Sequence, residues 1–381
     1  MSRRKRIAQR ISSMVLDYLL ALPIGCAVAL AWANTFPESY FRFAAATAFA
    51  VNNVGMVFFF ALITKEVAEA VLPGGALHPW RRAALPMAAA IGGAVVSIAG
   101  YLGFVHYAVG EHMLESGWIA ACAVDIPGSY IIARAIFGRH PAVPFLLLLA
   151  ISADAIGLIL LAVLQPVVGA DLAVGLVLMI AALAIAAALR RAGVRSFWPY
   201  LLGPGALSWL ALFLAGVPSA LALVPIVPFL PHGRRDPGLF IESPPQAHDA
   251  LTEFERWWRL PVEGVLLLFG LVNAGVPFHG LEPGTWGLPI GALARPFGIV
   301  AAGGMALAAG LHLPQRVGWR ELIVSACITS VGLSFALFFA AAVMPPGPVL
   351  LEMKMGALIT ISGGVLAFAA AGLLRVGRFS R

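Results

Sequence analysis

Residues 117–161 read GWIAACAVDIPGSYIIARAIFGRHPAVPFLLLLAISADAIGLILL. Two apolar runs, 117–136 and 143–165, are separated by a short polar break, and each approaches the roughly 20 residues that cross a hydrocarbon core as a helix. Each carries one carboxylate near its middle, Asp125 in the first and Asp154 in the second. A charge at that depth is expensive and is therefore a functional hypothesis by default. Asp125 is followed by Ile126-Pro127-Gly128-Ser129. A proline removes a backbone donor, so Pro127 and Gly128 predict an unwound stretch in mid-span, with half-helix ends exposed beside the acid.

Outward from this pair the same pattern fills the chain. Of 381 residues, 61% are apolar and only 11% charged, against about half and a quarter in soluble domains. Further apolar runs lie at 16–33, 45–71, 84–107, 171–189, 197–214, 216–230, 261–278, 287–310, 321–343 and 350–374. The expected fold is an all-α polytopic membrane protein with about twelve transmembrane helices in one domain spanning 1–381. The seventh and eighth runs are crowded by Pro204, Pro218, Pro225 and Pro228. The one aqueous-looking stretch, 231–260, reads as a cytoplasmic linker between halves, its end amphipathic with Trp257 and Trp258 beside Arg256 and Arg259.

A net charge of +7 would suit nucleic acid, but the distribution points to topology instead. With twelve crossings, 21 of the 25 Lys and Arg share one side, from Arg3 and Arg4 to Arg378 and Arg381. Both termini are then cytoplasmic. A signal peptide at the N-terminus lacks a small-residue cleavage site and would invert that distribution. Cys26, Cys122 and Cys327 lie within predicted helices without metal spacing, and the eight histidines form neither an HExxH pattern nor a set around a nucleophile. No enzyme, organic cofactor or nucleic-acid partner is expected.

The third intramembrane charge is Arg295, in the tenth run. Asp154 has no basic residue nearby on its own helix, so it needs a partner from another. Two readings stand: a permanent Asp154–Arg295 bridge, or a cation or proton that competes with Arg295 for the carboxylate. Asp125 either neutralises the positive ends of a broken helix or ligates a cation directly. The eleventh run contains Ser325, Thr329, Ser330, Gly332 and Ser334, which suggests a second interrupted helix. Interruptions in helices 4 and 11 correspond if helices 3 to 5 and 10 to 12 form an inverted repeat.

At these residues the chain resembles the NhaA family of bacterial sodium/proton antiporters. Gly117-Trp118 leading to Val124-Asp125-Ile126 is similar to the family's GWAIPAATDIA, and Leu149-Ala150-Ile151 through Asp154 to Gly157 to its LAIIDDLGAI. Asn52-Asn53-Val54-Gly55-Met56, Lys65-Glu66-Val67 and Ala89-Ala90-Ile91-Gly92-Gly93 resemble the family's second and third spans. Val272-Asn273-Ala274-Gly275-Val276 resembles FANAGV, and Arg295-Pro296-Phe297-Gly298-Ile299 resembles GKPLGI. The resemblance implies alternating-access exchange of Na+ or Li+ for H+ in the inner membrane, contributing to pH homeostasis. Asp154 would carry the ion or the proton, with Ser152 beside it, Asp125 would compensate the broken-helix ends, and Arg295 would stabilise the empty carboxylate. It also implies a homodimer in lipid.

The departures bear on mechanism. The family has two adjacent acids where this chain has Ala153-Asp154, a lysine at Arg295 and a threonine at Val124. An arginine does not readily release its proton, so one proton per sodium, and hence electroneutral exchange, is expected. A pH-sensing histidine of the family falls at Pro218, leaving Glu66, Glu253 and Glu255 as candidate sensing residues. A proton-coupled carrier of another small ion or solute, and a transport-inactive membrane sensor, are the competing readings.

Overall fold

The computed structural model describes residues 21–71, 81–138, 140–164, 171–231, 249–278, 281–314 and 316–379. All regular structure among them is helical. In chain order the helices are α1 (Ala21–Thr35), α2 (Pro37–Phe49), α3 (Met56–Val71), α4 (Arg81–Phe104), α5 (His112–Glu115), α6 (Ile126–Phe137), α7 (Ala142–Leu164) and α8 (Leu172–Arg191). There follow α9 (Trp198–Tyr200), α10 (Ala206–Leu214), α11 (Ala250–Asn273), α12 (Gly287–Ala308), α13 (Trp319–Ile328), α14 (Leu333–Val343), α15 (Pro348–Ile359) and α16 (Gly363–Leu374). Five helical stretches among the described residues are long and apolar enough to cross a membrane, or seven if each of two bent pairs is one span. On α8 the apolar side chains Leu172, Leu176, Val177 and Ile180 are exposed. A helix apolar on its outer face is solvated by lipid, and the chain is a multi-pass membrane protein.

Two compact units divide the chain, one from 1–69 with 166–277, the other from 70–165 with 278–381. In the first, the second predicted span starts earlier than expected, at Pro37, and widens into a π-helical turn at Ala50–Gly55. The amides of Asn52 and Asn273 bond reciprocally at 2.8 and 3.2 Å, and Trp209 Nε1 donates to Asn53 O at 2.7 Å. The wider turn leaves a carbonyl free for such a side-chain donor. The run 216–230 is not one continuous helix: it holds two three-residue 3-10 turns, Ser219–Leu221 and Val227–Phe229. Pro218, Pro225 and Pro228 each lack an N–H and clash with a preceding carbonyl, which blocks a continuous helix. The end of the expected linker is instead part of α11, which Asp249 caps by accepting the Thr252 N–H at 2.8 Å and which runs through Pro261 into the ninth predicted span. Residues 232–248 lie outside the described residues.

The second unit contains α4 to α7 and α12 to α16. Its axis is the contact of α4 with α12. A Cβ added at Gly298 would lie 2.2 Å from Gly92 O, and one added at Gly92 would lie 2.2 Å from Ala302 Cβ. Bare glycines let these backbones meet, the usual route to close packing where lipid removes the hydrophobic drive between helices. Gly103, on the same α4, faces open space. Gly298→Val is therefore expected to destabilise the solubilised protein by about 1–3 kcal/mol or more, read as a lowered unfolding temperature, while Gly103→Val leaves that temperature near wild type.

Candidate ion-binding site

The first predicted break is present. A 3-10 segment, Ser116–Cys122, ends before the extended residues Ala123 and Asp125, and α6 restarts at Ile126 with its axis turned by 48°. Pro127 sits in the first turn of α6, where its missing N–H costs nothing. The second break separates α13 from α14, which differ by 45°. The two breaks touch. Asp125 N–H donates to Val331 O at 2.8 Å, and a Cβ on Gly332 would lie 3.0 Å from Ala123 O. Gly332 N–H is taken by Thr360 Oγ1 at 3.2 Å, whose hydroxyl donates to Ala357 O at 2.6 Å.

Two interrupted helices present two partly positive N-terminal ends and two partly negative C-terminal ends. One carboxylate meets both positive ends: Asp125 Oδ2 accepts Gly128 N–H of α6 at 3.1 Å, and Oδ1 accepts the hydroxyl of Ser334 in the first turn of α14. One guanidinium meets both negative ends: Arg295 donates through Nη2 to Ala121 O and through Nη1 to Thr329 O. Arg295 is 2% exposed and is the largest fully enclosed side chain described. Its Nη2 also reaches Ser97 Oγ at 3.4 Å.

Asp154, on α7, is 1% exposed. Its Oδ1 accepts Val124 N–H, in the first break, at 2.9 Å, whereas Oδ2 has no hydrogen-bond partner among the described residues. No ion pair joins it to Arg295 among the described residues, although the two lie within electrostatic reach. The arrangement leaves one buried carboxylate oxygen unengaged at the meeting of two breaks whose own charges are already answered.

Residues 17–374 match the family model described as Na+/H+ antiporter 1. The Na+/H+ antiporter NhaA of Desulfitobacterium hafniense (strain Y51) is 39% identical over 371 residues, covering 94% of this chain and 95% of its own. NhaA 1 of Pelobacter propionicus is 39% identical over 381 residues, covering 97% and 99%. NhaA of Jannaschia sp. is 35% identical over 421 residues, covering 96% and 98%. The chain belongs to the NhaA family of sodium/proton antiporters.

For an NhaA-family member with a single acid on this helix, the surroundings of that acid matter most. Asp125, Pro127, Gly128, Asp154, Arg295, Thr329 and Gly332 are gathered at the two breaks. Thr329 contributes its carbonyl to Arg295, while its hydroxyl donates to Ala326 O at 2.7 Å. Ser330 is buried with a hydroxyl lacking a partner among the described residues, and its Cβ packs where a side chain on Gly363 would stand. Ser152 lies two residues before Asp154 on α7, about 200° of helical rotation away. The candidate sensing residues lie in the other unit. Glu253 is exposed in the first turn of α11, Glu255 pairs with buried Lys65 at 2.9 Å, and the Glu66 side chain lies outside the described residues. The sequence reading missed Ser97, Ser334 as a ligand of Asp125, and Thr360; Ser97 is a single aliphatic hydroxyl in its apolar run, whereas Ser334 and Thr360 stand near other hydroxyls that gave no sign of their partners.

Gly128 is required by proximity. A Cβ there would lie 2.3 Å from Asp125 Oδ2, so Gly128→Ala must push the carboxylate off the end of α6. The expected result is loss of about 0.5–2 kcal/mol of stability, the worth of an N-cap, measured by thermal unfolding, together with impaired exchange in proteoliposomes.

Proposed function

We propose that the protein exchanges Na+ or Li+ for H+ across the bacterial inner membrane by alternating access, with Asp154 carrying either the cation or the proton. The observation that carries this reading is the unpartnered, fully buried Oδ2 of Asp154 beside a break whose charges Asp125 and Arg295 answer. A cation on the carboxylate lowers its proton affinity, and a proton removes the charge the cation needs, so each ligand expels the other. Exchange accordingly weakens as pH falls, because the proton then outcompetes sodium.

Asp125 holds the positive helix ends and Arg295 the negative ones throughout the cycle. Arg295 stays protonated at any working pH, so the only group that loads and unloads is Asp154. One proton against one sodium moves no net charge, and the exchange is electroneutral. The same reading takes helices 3 to 5 and 10 to 12 as an inverted repeat within a single twelve-span domain. It places both termini and residues 231–260 in the cytoplasm, and it takes the protein as a homodimer in lipid. Among the candidate pH-sensing residues Glu66, Glu253 and Glu255, Glu255 pairs with the buried Lys65 at 2.9 Å.

The test uses the purified protein in proteoliposomes with an imposed proton gradient and an internal pH dye. Added Na+ or Li+ is expected to dissipate the gradient, K+ to leave it, and Asp154→Asn to abolish the response. Dissipation by an organic or other ion alone would replace the substrate assignment, and activity retained in Asp154→Asn would remove Asp154 from its role. Recording on a solid-supported membrane is expected to give no charge displacement; a clear current would overturn one-for-one exchange.

A further inference from the structure

Arg295 is held by something other than the two helix ends it serves. Ser97, on α4, is fully buried, and its hydroxyl lies 2.6 Å from Ala121 O and 2.8 Å from Gly291 O, with Arg295 Nη2 at 3.4 Å. Ala121 is at the C-terminal end of the first broken segment, and Gly291 is four residues before Arg295 on α12. One hydroxyl thus connects three parts: the broken helix, the helix that carries the arginine, and the guanidinium itself. One turn before Ser97 on the same face of α4, Gly93 makes room for the arginine stem; a Cβ there would lie 3.2 Å from Arg295 Cγ and 2.6 Å from Ile299 Cγ1. Gly93 and Ser97, four residues apart, form a seat.

We propose that Ser97 is a positioning residue that keeps the Arg295 guanidinium on the carbonyls of the two helix breaks and off Asp154, leaving that carboxylate open to the transported cation. The inference rests on Asp154 being the exchange carboxylate. Without the Ser97 hydroxyl Nη2 keeps Ala121 O, and what is lost is a restraint on a guanidinium whose Nε already lacks a partner among the described residues, a buried donor that is costly to leave unmade. Asp154 Oδ2 is a buried acceptor without a partner, within electrostatic reach of that guanidinium. A bidentate arginine–carboxylate pair would form there in preference to a single carbonyl contact. Such a pair competes directly with sodium and with the proton. The other titratable or charged groups acting on Asp154 or Arg295 are Asp125 and Cys122, from the first broken helix, and no substitution at Ser97 changes them.

The test compares wild type, Ser97→Ala, Ser97→Thr and Asp154→Asn as purified, monodisperse proteins in proteoliposomes, measuring the sodium dependence and the pH profile of exchange. Ser97→Ala is expected to raise KM for Na+ by about three- to tenfold with a smaller change in maximal rate, and to move the pH midpoint down by about half a unit to one unit, because an arginine partner favours the ionised carboxylate. Ser97→Thr, which keeps the hydroxyl, restores both. Should Ser97→Ala fail to purify, Gly93→Ala, which crowds the arginine stem from the same helix, is expected to give the same shifts. Unchanged KM and pH midpoint in Ser97→Ala, with Asp154→Asn inactive, would overturn the positioning role and leave the exchange site standing. Activity in Asp154→Asn would instead remove the reading on which it rests.

Discussion

A helix that stops in the middle of a membrane exposes backbone donors and acceptors to hydrocarbon, where no water can satisfy them. Two such stops place four partial charges in one small region. Asp125 and Arg295 answer all four, the acid taking the N-terminal ends of α6 and α14 and the arginine taking Ala121 O and Thr329 O. The pair costs desolvation that apolar packing would avoid. Here it is what permits the breaks to exist, and the rest of the unit follows from it. Gly332 must be bare to approach Ala123, Gly128 to approach Asp125, and Gly92, Gly93 and Gly298 to bring α4 and α12 close enough to enclose the guanidinium.

Arginine suits this task in a way that bears on the chemistry. Its planar fork presents separate nitrogens at fixed spacing, so two carbonyls on different helices are bound at once. Nη1 and Nη2 are used in that manner, and Nε is left without a partner among the described residues. The geometry therefore assigns the arginine to the peptide ends before the carboxylate. Asp154 is held through Oδ1 by Val124 N–H, a backbone donor at the very position where a hydroxyl ligand would have been expected from the resemblance. The loss of that hydroxyl does not leave the acid without an anchor, because the unwound backbone supplies one.

How much of this was legible in the sequence follows from what each feature announces. An acid in an apolar run is conspicuous, so Asp125, Asp154 and Arg295 stood out, and Pro127 with Gly128 marked the first break by known backbone chemistry. The second break was signalled only by a cluster of small hydroxyl residues. The proline-rich run 216–230 has the composition of a span and the backbone restrictions of a loop, and composition alone gave the wrong length of helix there. Partnership was the least legible. A bridge from Asp154 to Arg295 was one of two readings along the chain. The fold sends the arginine to carbonyls 174 and 34 residues away. Ser97 is one hydroxyl in a run of alanine, glycine and valine, and only the packing of α4 on α12 gives it meaning.

The charge arithmetic of the site links these points. Asp125 and Arg295 cancel, and the helix ends they serve cancel in turn, so the local field is close to balanced. On the proposed reading Asp154 is then the one variable charge. Ionised and empty, it leaves the buried region with an uncompensated negative charge, which is costly in a low-dielectric medium. A proton or a cation restores neutrality, and either serves. The empty state is the one the membrane penalises, and a carrier whose unloaded form is penalised at its buried stage reorients loaded. On that reading, obligatory exchange, in which neither ion leaks without the other, follows from burying a single acid in surroundings already neutral, and a freely moving arginine would defeat it by supplying a third way to satisfy that charge.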